Sequence, residues 1–139
     1  MTERCFVDTN VILYAASDDP NEATKRQRAI ALLDSIDFSI SAQVLQEFYV
    51  NAVRKGSDRL TADRARKWIN RLSRHGVVPT DLALVEAAIR GSESHRISYW
   101  DAAIVAAAEW LGAEILYTEA LNHGQRYGTV LVQNPFRDP

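Results

Sequence analysis

"CFVDTNVILYA", residues 5–15, runs from an apolar triplet through Asp8, Thr9 and Asn10 and back into apolar sequence. The reading predicts a strand over 4–7 and a short helix over about 11–16. Asp8, Thr9 and Asn10 are all good helix N-cap residues, so a cap alone accounts for the junction. A strand that ends on Asp also sets a carboxylate at a strand's carboxyl end, where open α/β sheets build their sites. The rest of the chain decides between the two.

Outward from that segment, strand and helix patterns alternate. "NEATKRQRAIALLDSI" (21–36) spaces Ala23, Ile30, Leu33 and Ile36 near a helical period, with a basic outer face. "FSIS" (38–41) predicts a strand. Ser41 caps a helix over 42–55 whose apolar stripe is Val44, Leu45, Phe48, Tyr49 and Ala52. Thr61 caps the next helix, with Ala62, Ala65, Trp68, Ile69 and Leu72 inward. "GVVPT" (76–80) predicts a strand, and Asp81 starts a helix to about Gly91. Ser98 starts another, stopped by Gly112. Strands follow over 114–118 and within 129–136. Strands separated by helices imply an α/β fold, a parallel sheet with helices on both faces. Asp8 and Thr118 then share its carboxyl edge.

Composition narrows the class. With 139 residues, 47% of them hydrophobic and 24% charged, the chain suits one globular domain spanning 1–139. No apolar stretch is long enough to span a bilayer, and no basic segment leads into an apolar one at the start. Cys5 is the sole cysteine, which excludes an internal disulfide framework and fits a reducing cytoplasm. The net charge of −2 announces no polyanion partner, yet residues 54–74 hold eight basic side chains against two acidic ones. Within that run Arg64, Lys67 and Arg71 recur on one helix face, opposite Trp68 and Ile69. They are candidates for tracking phosphates, or an ordinary solvated face.

Three further acids can converge on the edge that Asp8 occupies. Glu47 flanks the apolar stripe of its helix, with Asn51 one turn on. A carboxylate bordering a core is costly unless it is paired or binds a cation. Asp101 lies in the first turn after Ser98, in a capping-box pattern, just before the very apolar "AAIVAAA". Glu119 follows the strand "ILYT". Each acid has a structural explanation of its own. Together they form an oxygen-only set, which suits Mg²⁺ or Mn²⁺ and not Zn²⁺. His75, His95 and His123 show no ligand spacing, and neither a glycine-rich phosphate loop nor a G-x-S-x-G elbow is present.

The order "VDTN", "QEFY", "SYWDAAIVAAA", "ILYTE" in a short α/β chain resembles the PIN-domain nucleases, and most closely the VapC-type toxins of toxin–antitoxin pairs. The resemblance covers nearly the whole chain and implies a PIN-like three-layer fold. It makes Asp8, Glu47 and Asp101 metal-binding acids, and Thr9, Asn10 and Thr118 the small polar residues beside them. It implies a Mg²⁺- or Mn²⁺-dependent endoribonuclease acting on RNA, structured RNA such as tRNA by family precedent. A cognate antitoxin and a homodimer are implied as partners.

One position departs from that pattern. Where relatives commonly carry a fourth acid, this chain has Ala120, and Glu119 is the only acid nearby. The expectation is that Glu119 assists the metal weakly, by a local turn or through water. A catalytically weakened PIN-like module that binds RNA or protein is the alternative. A phosphoryl-transferring aspartate hydrolase also sets Asp after its first strand. It needs a second acid two residues on, where this chain has Asn10.

Overall fold

The computed structural model describes residues 3–54 and 59–138. Six strands form one sheet: β1 (Cys5–Val7), β2 (Phe38–Ser41), β3 (Gly76–Val78), β4 (Ile115–Tyr117), β5 (Arg126–Tyr127) and β6 (Val130–Gln133). Their order is β3-β2-β1-β4-β6-β5, parallel throughout except for β5, which runs antiparallel to β6 at the edge. The helices are α1 (Thr9–Ala15), α2 (Ala23–Ser35), α3 (Ala42–Ala52), α4 (Ala62–Leu72), α5 (Leu82–His95) and α6 (Tyr99–Trp110). Every residue of β1 is buried, and so are Ile40, Leu116, Val130 and Val132. Such continuous burial along parallel strands is what cover on both faces requires.

The chain leaves β1 toward β2 on one side and later crosses to β4 on the other. β1 and β4 are therefore the point at which strand order reverses, and a crevice opens at their carboxyl ends. Their register pairs Val7 with Tyr117, and the Asp8 N–H continues the ladder to the Tyr117 carbonyl at 3.0 Å. Asp8 and Thr118 are thereby set side by side.

The helix starts follow the capping residues. Ser41, Thr61, Asp81 and Ser98 each accept a backbone N–H from the first turn of the helix that follows. Asp8 does the same for α1, which begins at Thr9, two residues earlier than expected.

Other expectations need correction. Helix α2 starts at Ala23, after a 3₁₀ turn over Pro20–Glu22, because Pro20 is accommodated where no N–H is needed. Ala29 takes the buried position on α2, while Ala23 is exposed. Helix α3 ends at Ala52, and Lys55, expected within it, lies outside the described residues. Tyr49 and Ala62, expected to face inward, are exposed.

Helix α5 does not stop at Gly91. It runs to His95 and ends at Arg96, whose backbone is left-handed with φ 55°. Gly91 lies within α5, where a Cβ would make only an ordinary 3.6 Å contact with that of Ala102, and does not end the helix. Gly112 does act as the stop for α6, at φ 71°. The two-residue strand β5 was not foreseen, being too short to leave a pattern.

Candidate active site

Asp8 is 6% exposed, yet it is an acid. Its Oδ1 accepts the Thr9 N–H at 2.7 Å, and its Oδ2 accepts the Thr118 hydroxyl at 2.8 Å. The Asn10 amide donates to both the Asp8 Oδ2 (3.4 Å) and the Thr118 Oγ1 (3.1 Å), and its carbonyl accepts the Glu119 N–H at 3.1 Å. Burial pushes the Asp8 carboxyl up to about 6; the hydrogen bonds from Thr118 and Thr9 oppose the rise, and the negative charges of Glu47 and Asp101 add to it. Three carboxylates thus feel one another across a common space.

That space is a pocket of about 240 Å³ lined by Asp8, Thr9, Asn10, Glu47, Asn51 and Asp101, among others. Helix α3 contributes along one flank. Gln43, Glu47 and Asn51 are spaced i, i+4, i+8, which stacks them on one side of a helix. The Thr9 hydroxyl donates to the Glu47 Oε1 at 2.9 Å, and the Asn51 amide donates to the Glu47 carbonyl at 2.8 Å. Gln43 was not among the expected residues, although its spacing from Glu47 could have revealed it.

Asp101 comes from the first turn of α6. The Ser98 hydroxyl accepts the Asp101 N–H at 3.0 Å, which is half of a capping box. The return bond from the Asp101 carboxylate is not made among the described residues, so capping leaves that carboxylate unused.

This donor set fits a hard divalent cation. The lining residues offer three carboxylates and neutral oxygens, and none carries a positive charge. Among the described residues no three acids stand close enough to hold a metal ion as a finished cage. An open arrangement is compatible with Mg²⁺, which keeps several waters and takes few carboxylates directly.

Residues 5–120 match the family model described as the PIN domain. The chain belongs to the PIN-domain family. Solved structures with this fold include a toxin–antitoxin complex from Klebsiella pneumoniae, 18% identical, with 96% of this chain and 99% of that one covered at a TM-score of 0.70. VapC20 of Mycobacterium tuberculosis, a sarcin–ricin loop cleaving toxin, is 22% identical, with coverage of 81% and 86% at a TM-score of 0.66. VapBC2 of Rickettsia felis, bound to a DNA fragment from its promoter, is 18% identical, with coverage of 94% and 98% at 0.64. At these identities the likeness is one of fold. No curated protein sequence matches the chain significantly.

This PIN domain does not bring Glu119 into the pocket. Its Oε1 accepts the Tyr14 hydroxyl at 2.7 Å and its Oε2 pairs with the Lys25 ammonium at 2.5 Å, while Ala120 takes the place in the lining. The expected inward turn at Glu119 is not made, because the Lys25 ammonium and the Tyr14 hydroxyl take both of its oxygens.

The basic residues of α4 also lie apart from the acids. Arg64 pairs with Asp18 at 3.3 Å, and Lys67 with Asp63 at 3.4 Å. Arg71 is not opposite Trp68 as expected. Three residues along a helix are neighbours, and its guanidinium lies 5.5 Å from the Trp68 ring centre.

Proposed function

We propose that this PIN domain is a Mg²⁺- or Mn²⁺-dependent endoribonuclease and the toxin of a toxin–antitoxin pair, working in the cytoplasm. The observation that carries the reading is Asp8, a buried carboxylate facing Glu47 and Asp101 in a pocket lined by no cation. Family membership and the likeness to toxin–antitoxin structures support the biological role. Among the described residues no helix is long and apolar enough to cross a membrane.

In this reading Asp8, Glu47 and Asp101 hold the cation. When bound, the ion would lower the pKa of a water and offset charge on the scissile phosphate. The chain's own part is orientation. Thr118, Asn10 and the Thr9 N–H fix both oxygens of Asp8, and the Thr9 hydroxyl fixes one oxygen of Glu47. Without a cation the acids would repel an RNA phosphate, so metal binding and substrate binding are coupled. RNA, structured RNA such as tRNA first of all, is the proposed substrate. A co-encoded antitoxin and a second copy of the chain are the proposed partners.

Incubation of the purified protein with total RNA in Mg²⁺, Mn²⁺ or chelator tests the nuclease reading. Discrete cuts that need metal and vanish in Asp8→Asn are expected. Ala120 and the paired Glu119 favour one second reading, a PIN module that binds RNA or protein without cutting. Binding of RNA that stays intact in every metal would establish that reading instead. Co-purification with the product of a small adjacent open reading frame, with loss of cleavage in the complex, tests the toxin role.

A further inference from the structure

Trp100 lines the same pocket as the three acids, is next in sequence to Asp101, and is 63% exposed. Leaving an indole in water forgoes the hydrophobic gain it would bring to a core. It is also held in place. The Gln43 amide, on a side chain only 7% exposed, donates to the Trp100 carbonyl at 3.1 Å. Tyr99 meets the indole edge-on, ring centres 5.0 Å apart and planes at 84°. The backbone of Trp100 is thus anchored and its ring has one aromatic neighbour, on the helical turn that presents Asp101.

Exposure alone does not single it out, since Trp110 at the other end of α6 is 71% exposed. Trp110 borders a groove with Ala87, Val105 and Glu109, where no second acid is present. Trp100 instead shares its pocket with the acids Asp8, Glu47 and Asp101 and with the apolar side chains Leu13 and Ile104. A lining that combines carboxylates with an exposed indole suits the two halves of a nucleotide, its phosphate through a bound cation and its base through stacking.

We infer that Trp100 is the platform on which a nucleobase flanking the scissile phosphate stacks, a substrate-binding residue. This rests on the nuclease reading above. Every base has a π-face, so the platform tolerates all four, with the larger purine surface favoured.

The probes are RNA oligonucleotides carrying a cleavage site mapped in total RNA, with each base in turn replaced by an abasic ribose. At one flanking position the abasic probe should raise KM of the parent roughly tenfold. Trp100→Ala should raise KM on the intact probe by a similar factor, leave kcat within about twofold, and show no further loss on the abasic probe. Trp100→Phe should retain most of the parent's KM. Equal KM for parent and Trp100→Ala overturns the inference, as does an abasic penalty that persists undiminished in Trp100→Ala. Unchanged RNA kinetics with lost inhibition by a co-encoded antitoxin overturns it in favour of a protein contact. A parent that cuts no RNA defeats the nuclease reading itself, which is a separate result.

Discussion

Asp8 and Glu119 emerge from the carboxyl ends of adjacent, in-register strands, yet their surroundings set them to opposite tasks. Asp8 lies level with Thr118, is buried among neutral donors, and faces two other acids; its carboxyl is pushed up to about 6, chiefly by burial. Glu119, one residue beyond Thr118, points to the other side. Burial raises its carboxyl as well, but the Lys25 ammonium and the Tyr14 hydroxyl outweigh that and hold it below the usual carboxylate range. Among the described residues no basic side chain lines the pocket that Asp8 shares, whereas Glu119 is paired with the Lys25 ammonium. The partners met just past each strand end therefore separate a candidate metal ligand from an anchor of the fold.

The largest effect that can break this contrast is on catalysis. Asp8→Asn, Glu47→Gln and Asp101→Asn should each lower metal-dependent cleavage by on the order of 10³-fold or more, because each removes charge that a cation needs. Glu119→Gln should stay within a few-fold of the parent in the same assay, with an unchanged Mg²⁺ requirement. A Glu119→Gln protein as inactive as Asp8→Asn would erase the distinction.

The second effect is on stability without metal. The Asp8 carboxyl titrates higher in the folded chain than its ordinary value of 3.8, so the folded state holds the proton more tightly. Its contribution to stability is complete below about pH 4 and is lost as pH rises through 6. A displacement of that size corresponds to about 3 kcal/mol at neutral pH. In chelator at pH 7–8, Asp8→Asn should thus melt higher than the parent, and the two should converge near pH 4. Mg²⁺ should raise the parent's Tm and leave the variant's nearly unmoved. A lower Tm for Asp8→Asn in chelator would mean that its cap to Thr9 outweighs the buried charge.

The sequence carried Asp8, Glu47 and Asp101 because each stands at a junction with local marks: a strand end, a helix flank, a first turn. It carried the parallel α/β order for the same reason, since periodicity and caps are local. The partner of Glu119 was illegible. Lys25 lies 94 positions away on α2, where it reads as one more charge on a basic face. The continuation of α5 through Gly91 was hidden similarly, because a glycine reads as a stop while the left-handed residue that ends the helix is Arg96. Arg64 read as a candidate for tracking phosphates or part of a solvated face, and its partner Asp18 lies 46 positions away.

The third effect is smaller and runs with the opposite sign in pH. The carboxyl of Glu119 is held low, so its pairing with Lys25 stabilises the fold above the ordinary carboxylate range and fades as pH falls below it. The Lys25 side chain is 41% exposed and that of Glu119 30%, so solvent screens the pair. Glu119→Gln should cost roughly 0.5–1 kcal/mol near pH 7 and progressively less as pH falls below the ordinary carboxylate range, read from denaturant midpoints in chelator. Between pH 3 and 7 the two strand-end acids then tilt stability in opposite directions. A pH-independent cost would show that Glu119 acts through packing and not through charge.

The smallest effect comes from transferring an acid to the place that Glu119 does not reach. Ala120 lines the pocket, and its N–H is already held by the Thr118 hydroxyl at 3.0 Å, so its backbone is fixed relative to Asp8. Aspartate at this position adds a fourth carboxylate on the pocket side without disturbing the Glu119–Lys25 pair. Mutual repulsion among four acids should lower stability in chelator, and a bound cation should relieve it. Because Mg²⁺ keeps most of its waters, one more carboxylate acts largely through that shell, and the gain in affinity should be about three-fold. Ala120→Asp should therefore shift the Mg²⁺ midpoint of cleavage down by that factor while the rate at saturating metal stays near the parent's. Glu119→Gln combined with Ala120→Asp should show the same shift, since the two residues face different sides of the chain. Loss of the shift in the double variant would mean that Glu119 couples to the metal after all, and that the two strand ends belong to one site.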